Sequence, residues 1–226
     1  MNNDIYDVLM EKSVSRLCHF TKLENLVHIL NSSDGILATN FIDENKNVID
    51  PNRRDMQLDY ICCSIEYPNS WFLEDAKERN ESIFNDWVVL YIKPDIVRER
   101  CVKVSECNAA KSNGYYIKKG DYKSTAHLFD YKVPSFNHPR TEKMLKCCPT
   151  NAQAEIMIYC SIPKEYIFGI AVMNTDMAER VYGILSLLRI ENIDIYISPD
   201  VIGKRWRRLI QEGNRPLEER YFVKEG

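Results

Sequence analysis

The chain has 226 residues, 45% of them apolar and 28% charged, which is the composition of a globular protein and not of a disordered or fibrous one. This length makes a single domain over 1–226 with a core large enough to fold without disulfide staples. With 30 basic against 33 acidic residues the formal net charge is −3, which excludes coating of nucleic acid by bulk charge and leaves only a local patch for such contact.

The N-terminal stretch MNNDIYDVLMEK is polar and acidic and lacks the apolar centre of a signal peptide. No apolar run approaches the ~20 residues of a membrane helix, so a cytoplasmic protein is expected. Residues 4–17 carry Ile5, Val8, Leu9 and Val14 at helical spacing. Leu17-Cys18-His19-Phe20 reads as a strand. Thr21 with Glu24 then reads as a capping box that opens a helix with Leu23, Leu26, Val27 and Leu30 inward. Residues 40–56 form a polar loop of the kind that often carries function.

Strands are expected over Tyr60–Ile65, Asp86–Ile92, Glu155–Cys160, Ile167–Val172 and Ile193–Ile197. Pro68-Asn69 breaks the first of these. Residues 100–146 mix Gly, Pro, aromatics and Lys without period, so short elements and a mobile loop are expected there. Met177–Leu188 reads as an amphipathic helix with Val181, Ile184, Leu187 and Leu188 inward, and the tail holds the basic run Lys204–Arg208. Strands and helices do not alternate regularly, which gives an α+β fold with mainly antiparallel pairing. No glycine-rich dinucleotide fingerprint and no P-loop is present. The eight cysteines include the adjacent pairs Cys62-Cys63 and Cys147-Cys148 but no C-x-x-C, and the four histidines are scattered, so no metal site is expected.

Three local features can carry chemistry. Cys18-His19-Phe20-Thr21 sits at a strand-to-helix junction, where a histidine and a hydroxyl can meet a nucleotide beside unpaired backbone N–H groups. The alternative is a histidine that caps its own turn. Arg53-Arg54-Asp55 closes the polar loop, and an arginine there can clamp a diphosphate with its planar fork. The alternative is a solvated charge pair. Asn151-Ala152-Gln153-Ala154-Glu155 enters an apolar strand, and period-two alternation puts Gln153 and Glu155 on one face. The alternative is an ordinary exposed strand start.

Together and in this order the three blocks resemble the DarT family, the DNA ADP-ribosyltransferase toxins of DarT–DarG toxin–antitoxin systems. The spacing HFT-x-x-x-NL-x-x-IL over His19–Leu30 resembles the family's NAD-binding signature. Arg54-Asp55, Ile61-Cys62-Cys63-Ser64-Ile65, Tyr67-Pro68-Asn69 and Phe72 resemble a block of its guanine-directed branch, more than of the thymine-directed one. Gln153-Ala154-Glu155-Ile156 resembles its Q-A-E block. The resemblance covers roughly residues 15–172.

It implies an ADP-ribosyltransferase fold, a split and mainly antiparallel sheet flanked by helices with NAD as co-substrate in the central cleft. By the same resemblance His19, Phe20 and Thr21 hold the nicotinamide end, Arg54 positions NAD and takes part in catalysis, Glu155 is the catalytic glutamate, and Gln153 recognises the acceptor. His28 stands where many members have a small residue that contacts NAD. Arg54 and not Arg53 is aligned, because it directly precedes Asp55.

An acceptor base must be unpaired, which implies single-stranded DNA, with Tyr67, Asn69 and Trp71 as candidate stacking or contact residues. Asn151, on the irregular segment that enters the Glu155 strand, is placed with Gln153 at the acceptor. Lys118-Lys119 with Tyr122-Lys123, or the Lys204–Arg208 run, can supply cations, and the alternative for each is a solvated face. The implied partner is a DarG-like macrodomain antitoxin, and the implied setting a toxin–antitoxin or anti-phage system. The competing readings are ADP-ribosylation of protein or RNA, and a non-catalytic NAD-binding module.

Overall fold

A computed structural model describes residues 4–42, 55–79 and 86–222. Its helices are α1 (Ile5–Glu11), α2 (Leu26–Asn31), α3 (Ser70–Arg79), α4 (Tyr122–His127), α5 (Thr175–Leu187), α6 (Pro199–Ile202) and α7 (Arg205–Gln211). Its strands are β1 (Leu17–Lys22), β2 (Ile36–Leu37), β3 (Tyr60–Ile65), β4 (Trp87–Ile92), β5 (Val102–Ser105), β6 (Ile117–Lys119), β7 (Glu155–Tyr159), β8 (Ser161–Ile162), β9 (Ile167–Val172), β10 (Asp194–Ile197) and β11 (Glu219–Arg220).

Nine strands form one sheet in the order β11-β10-β9-β4-β1-β3-β7-β5-β6, and β2 and β8 pair apart from it. β4, WVVLYI, is buried along its whole length, as a continuous apolar run at the centre of a covered sheet must be. The β9–β10 pair is parallel and is bridged by α5, while the other pairs are antiparallel. The α+β reading with mainly antiparallel pairing therefore holds.

The sheet opens between β1 and β3. β1 stays in register with β4 from Leu17↔Ile92 to Lys22↔Trp87, but meets β3 only at Leu17↔Ile65 and Cys18↔Ser64. Past Cys18 the two strands part, and the gap between them becomes a cleft.

Three sequence expectations change. Thr21 and Glu24 make no capping box. β1 runs on to Lys22, a 3-10 turn follows over Leu23–Asn25, and no side chain caps it. The ladder to β4 fixes His19 and Thr21 in extended backbone, so the corner presents no free helix N-terminus. Thr21 Oγ1 instead accepts a bond from Asn25 Nδ2 at 3.1 Å, and Glu24 pairs with Lys22 at 3.6 Å.

In α5 the buried stripe is Met177, Ala178, Val181 and Leu185. Leu187 is 76% exposed, because steps of 100° per residue carry it off that face. Residues 128–154 contain no helix or strand but are stitched into the fold. Arg140 donates to the carbonyls of Cys148 and Leu145, both at 2.6 Å, and Thr150 N–H donates to Leu128 at 2.9 Å.

The tail closes on the N-terminal strand. Arg16 forks onto Glu218 at 2.8 and 2.5 Å, and its guanidinium lies 3.9 Å from the centre of the Tyr91 ring. Glu66, fully buried just after β3 in a left-handed conformation (φ 64°), accepts from Ser15 N–H at 2.7 Å and from Arg215 at 3.1 Å. These bonds hold a backbone geometry that costs about 1–3 kcal/mol for a residue other than glycine.

Candidate active site

The cleft between the parting strands, together with the open solvent at its mouth, holds about 1370 Å³ of empty space. Its walls include Cys18, His19, Phe20 and Thr21 from β1, His28 and Ser32 at α2, Cys62 and Ser64 from β3, and Asn69 and Phe72 at α3. Glu155, at the start of β7, completes the floor. Gly35 forms part of the rim with φ 66°. A Cβ there would stand 2.2 Å from the Ile162 carbonyl oxygen, so only glycine lets the chain pass.

Each side chain is placed by its strand. His19 Nδ1 lies 3.0 Å from the Cys62 carbonyl oxygen across the split. A carbonyl only accepts, so Nδ1–H is the donor and the bond fixes the ring's orientation. Phe20 packs edge-on to Trp87 at 5.8 Å and tilted to Phe72 at 5.6 Å, which makes an aromatic wall.

Asn69 caps α3. Its Oδ1 accepts from Phe72 N–H at 3.3 Å, and its own N–H donates to Ser64 Oγ at 2.9 Å. The cap fixes the amide's orientation, so the 2% exposed residue turns a buried Nδ2 donor that has no partner among the described residues. A group bound in the cleft can satisfy that donor.

Glu155 is 4% exposed, and its row crosses the sheet from Cys18 to Ser64, Glu155 and Ser105. Its carboxylate accepts from Ala109 N–H at 2.9 Å and from Asn108 Nδ2 at 3.4 Å, both on the turn after β5. The sequence reading missed Asn108 and Ala109. Their only local sign is an Asx turn, Asn108 Oδ1 to Ala110 N–H at 3.0 Å, inside a segment without period.

The expected site residues therefore separate. His19, Phe20, Thr21, His28, Asn69 and Glu155 line one cleft. Arg53 and Arg54 lie outside the described residues. Tyr67 is not available to a base. It is 1% exposed, stacked on Trp206 at 5.2 Å, and has the Arg16 guanidinium 5.1 Å from its ring. Trp71 is half-buried with the Arg207 guanidinium over one face.

Asn151 is a turn residue. Its Oδ1 accepts from Gln153 N–H at 3.0 Å and its Nδ2 donates to Ser135 Oγ at 3.2 Å, in the core. Gln153 lies in the turn before β7, half-exposed, so strand alternation does not pair it with Glu155. Among the described residues no group of three His, Cys, Asp or Glu side chains is placed to hold a metal, and no helix is long and apolar enough to cross a membrane.

A family model described as "DarT: ssDNA thymidine ADP-ribosyltransferase, DarT" matches residues 18–203. The chain belongs to the DarT family. DarT enzymes transfer ADP-ribose from NAD to single-stranded DNA. Solved DarT structures share the fold. Thermus sp. 2.9 DarT in complex with ADP-ribosylated ssDNA superposes with a TM-score of 0.63 at 18% identity, over 83% of this chain and 96% of that one. The same protein in complex with NAD+ gives 0.61 at 18% identity, over 82% and 96%. Thermosipho africanus DarTG in complex with ADP-ribose gives 0.57 at 16% identity, over 83% of this chain and 51% of that one. No curated protein sequence matches. The DarT match runs from within β1 through β10 and covers the cleft, and it ends before α7, β11 and the tail that closes on Arg16.

Asn151→Ala should lower thermal stability and should reduce NAD binding and DNA modification together, because it opens a buried network that supports the Glu155 turn. Gln153→Ala, with no side-chain bond among the described residues to lose, should leave the melting temperature unchanged. Thermal melting of the two variants side by side checks this.

Proposed function

We propose that this DarT enzyme joins ADP-ribose to a base of single-stranded DNA with Glu155 as the general base, His19 and Thr21 as the hold on the nicotinamide end of NAD, and Phe20 as the apolar wall beside it. The observation that carries the reading is a buried carboxylate, fixed by Ala109 N–H and Asn108, on the floor of the cleft that also holds the His19 corner.

The bond between the nicotinamide nitrogen and ribose C1′ breaks, and its electron pair leaves with nicotinamide. A nitrogen of the acceptor base attacks C1′ from the open face, and its proton passes to Glu155. The same carboxylate stabilises positive charge on the ribose as that charge develops. Asn69 Nδ2 supplies a donor on the cleft wall, and His28 and Ser32 border the mouth. Arg54 is proposed for the diphosphate on the motif alone.

The proposed base is guanine, on the likeness of Pro68-Asn69 and Phe72 to the guanine-directed branch. The family description names thymidine. Digestion of modified DNA to nucleosides separates the two. A DarG-like macrodomain antitoxin is the proposed partner and the cytoplasm the proposed location. Growth arrest on expression, relieved by a co-expressed macrodomain, tests the toxin role.

The acceptor class is tested by offering labelled NAD with single-stranded DNA, duplex DNA, RNA and a protein lysate. Label should enter single-stranded DNA, and duplex far less, since extruding a paired base costs a few kcal/mol. Label confined to protein or RNA contradicts the proposal.

A further inference from the structure

The basic run on α7 is not an evenly solvated face. Trp206 is buried against Tyr67, with ring centres 5.2 Å apart, and this stack seats the helix on the β3–α3 connection. Arg205 pairs with Asp200 at 3.6 Å and Arg208 with Glu212 at 2.9 Å. Arg207 has no such partner among the described residues. Its guanidinium lies 4.1 Å from the centre of the Trp71 ring and 5.7 Å from that of Phe136. Burial pushes its pKa down, and no carboxylate among the described residues opposes this.

The two rings come from different segments next to the cleft, α3 and the irregular stretch before β7. Trp71 stands between Asn69 and Phe72, both on the cleft wall. Phe136 follows Ser135, whose hydroxyl donates to the Glu106 carbonyl at 3.0 Å and accepts from Asn151, beside the turn that holds Glu155. His138, exposed, packs against Phe136 with ring centres 5.4 Å apart and continues the aromatic surface outward.

A guanidinium that is partly desolvated, oriented between two rings and unpaired by any described carboxylate is a preformed receptor for an oxyanion. Arg207 does not line the cleft itself but stands over Trp71, next to the cleft residues Asn69 and Phe72, which suits it to the strand flanking a bound base better than to NAD. The geometry points to Arg207 as the anchor for a backbone phosphate of the acceptor strand, with Trp71 as the residue that orients it. This rests on single-stranded DNA being the acceptor. Trp71 then positions a cation and does not stack a base on its covered face, and Tyr67 serves DNA only by seating Trp206.

Arg207→Met keeps the aliphatic stem between the rings and removes the charge. With saturating NAD and a single-stranded oligonucleotide, KM for DNA should rise about 10–100-fold, as for loss of one charge-assisted contact. The dependence of log KM on log salt should become shallower by about 0.7, the share of one phosphate. A packing defect does not move that slope. NAD affinity by calorimetry should stay within about twofold, since the residue acts on the acceptor. Arg207→Lys should recover the slope and part of KM, and Arg208→Ala should change neither. If Arg207→Met does not fold, Arg207→Gln removes the charge in its place, and the same rise in KM and shallower slope are expected of it. Unchanged KM and slope in a folded Arg207→Met, or a loss of NAD affinity instead, overturns the anchor alone. A wild-type enzyme that labels no single-stranded DNA overturns the anchor and the acceptor assignment together.

Discussion

Glu155→Gln should slow ADP-ribose transfer by about 10²–10⁴-fold while NAD affinity changes only a few-fold. Glutamine matches glutamate in shape and can still accept from Ala109 N–H, so the turn after β5 keeps its bond and the fold keeps its register. The variant loses the negative charge and the proton-accepting oxygen. Both matter when the ribose becomes positive and the base must lose its proton, and neither holds the ground-state dinucleotide. Single-turnover transfer and calorimetric NAD affinity on the same preparation separate the two effects. A large loss of affinity with normal turnover at saturating NAD contradicts the role.

Glu218→Ala should destabilise the protein by about 3–5 kcal/mol, the usual cost of stranding one half of a buried ion pair. Arg16 is largely shielded by Tyr67 and Tyr91, and Glu218 is its only carboxylate partner among the described residues. Tyr91 also loses the 2.6 Å bond from its hydroxyl to Glu218. The melting temperature should fall by about 6–20 °C for a domain of this size. Replacing both partners, Arg16→Met with Glu218→Leu, should restore most of the loss, because no charge is then left buried. Equal melting temperatures for the single and double variants would show that the pair itself is not what holds the tail.

The central strands could be read directly, because WVVLYI is an unbroken apolar run and YICCSI and EIMIY each hold a single polar residue, Ser64 and Glu155, in an otherwise apolar run. The motif order located His19, Phe20, Thr21, Asn69 and Glu155, and the split between β1 and β3 places them on one cleft. β5 and the edge strand β6 carry no clear sequence signal, since VKVS and IKK are short and interrupted by lysines.

Thr21 misled because a hydroxyl followed by a glutamate three residues on has the same pattern at a helix start and in a strand that runs on. The longer ladder to β4 decided for the strand. Tyr67 misled because an aromatic before proline reads alike whether it faces a ligand or a core, and Trp206, its partner, is far away in sequence. The Arg16–Glu218 pair and the Ser135–Asn151 network are likewise long-range contacts that no local pattern records. The spacing of Trp206 and Ile210, one helical turn apart and both buried, does mark α7 within the basic run.

The most direct test is the intact mass of a single-stranded oligonucleotide after incubation with NAD and either wild-type enzyme or Glu155→Gln. The wild type should add the mass of one ADP-ribose, carried on a base after nuclease digestion, and Glu155→Gln should leave the oligonucleotide unmodified over the same time. An unmodified oligonucleotide with the wild type, or equal modification by both enzymes, contradicts Glu155-dependent transfer to DNA.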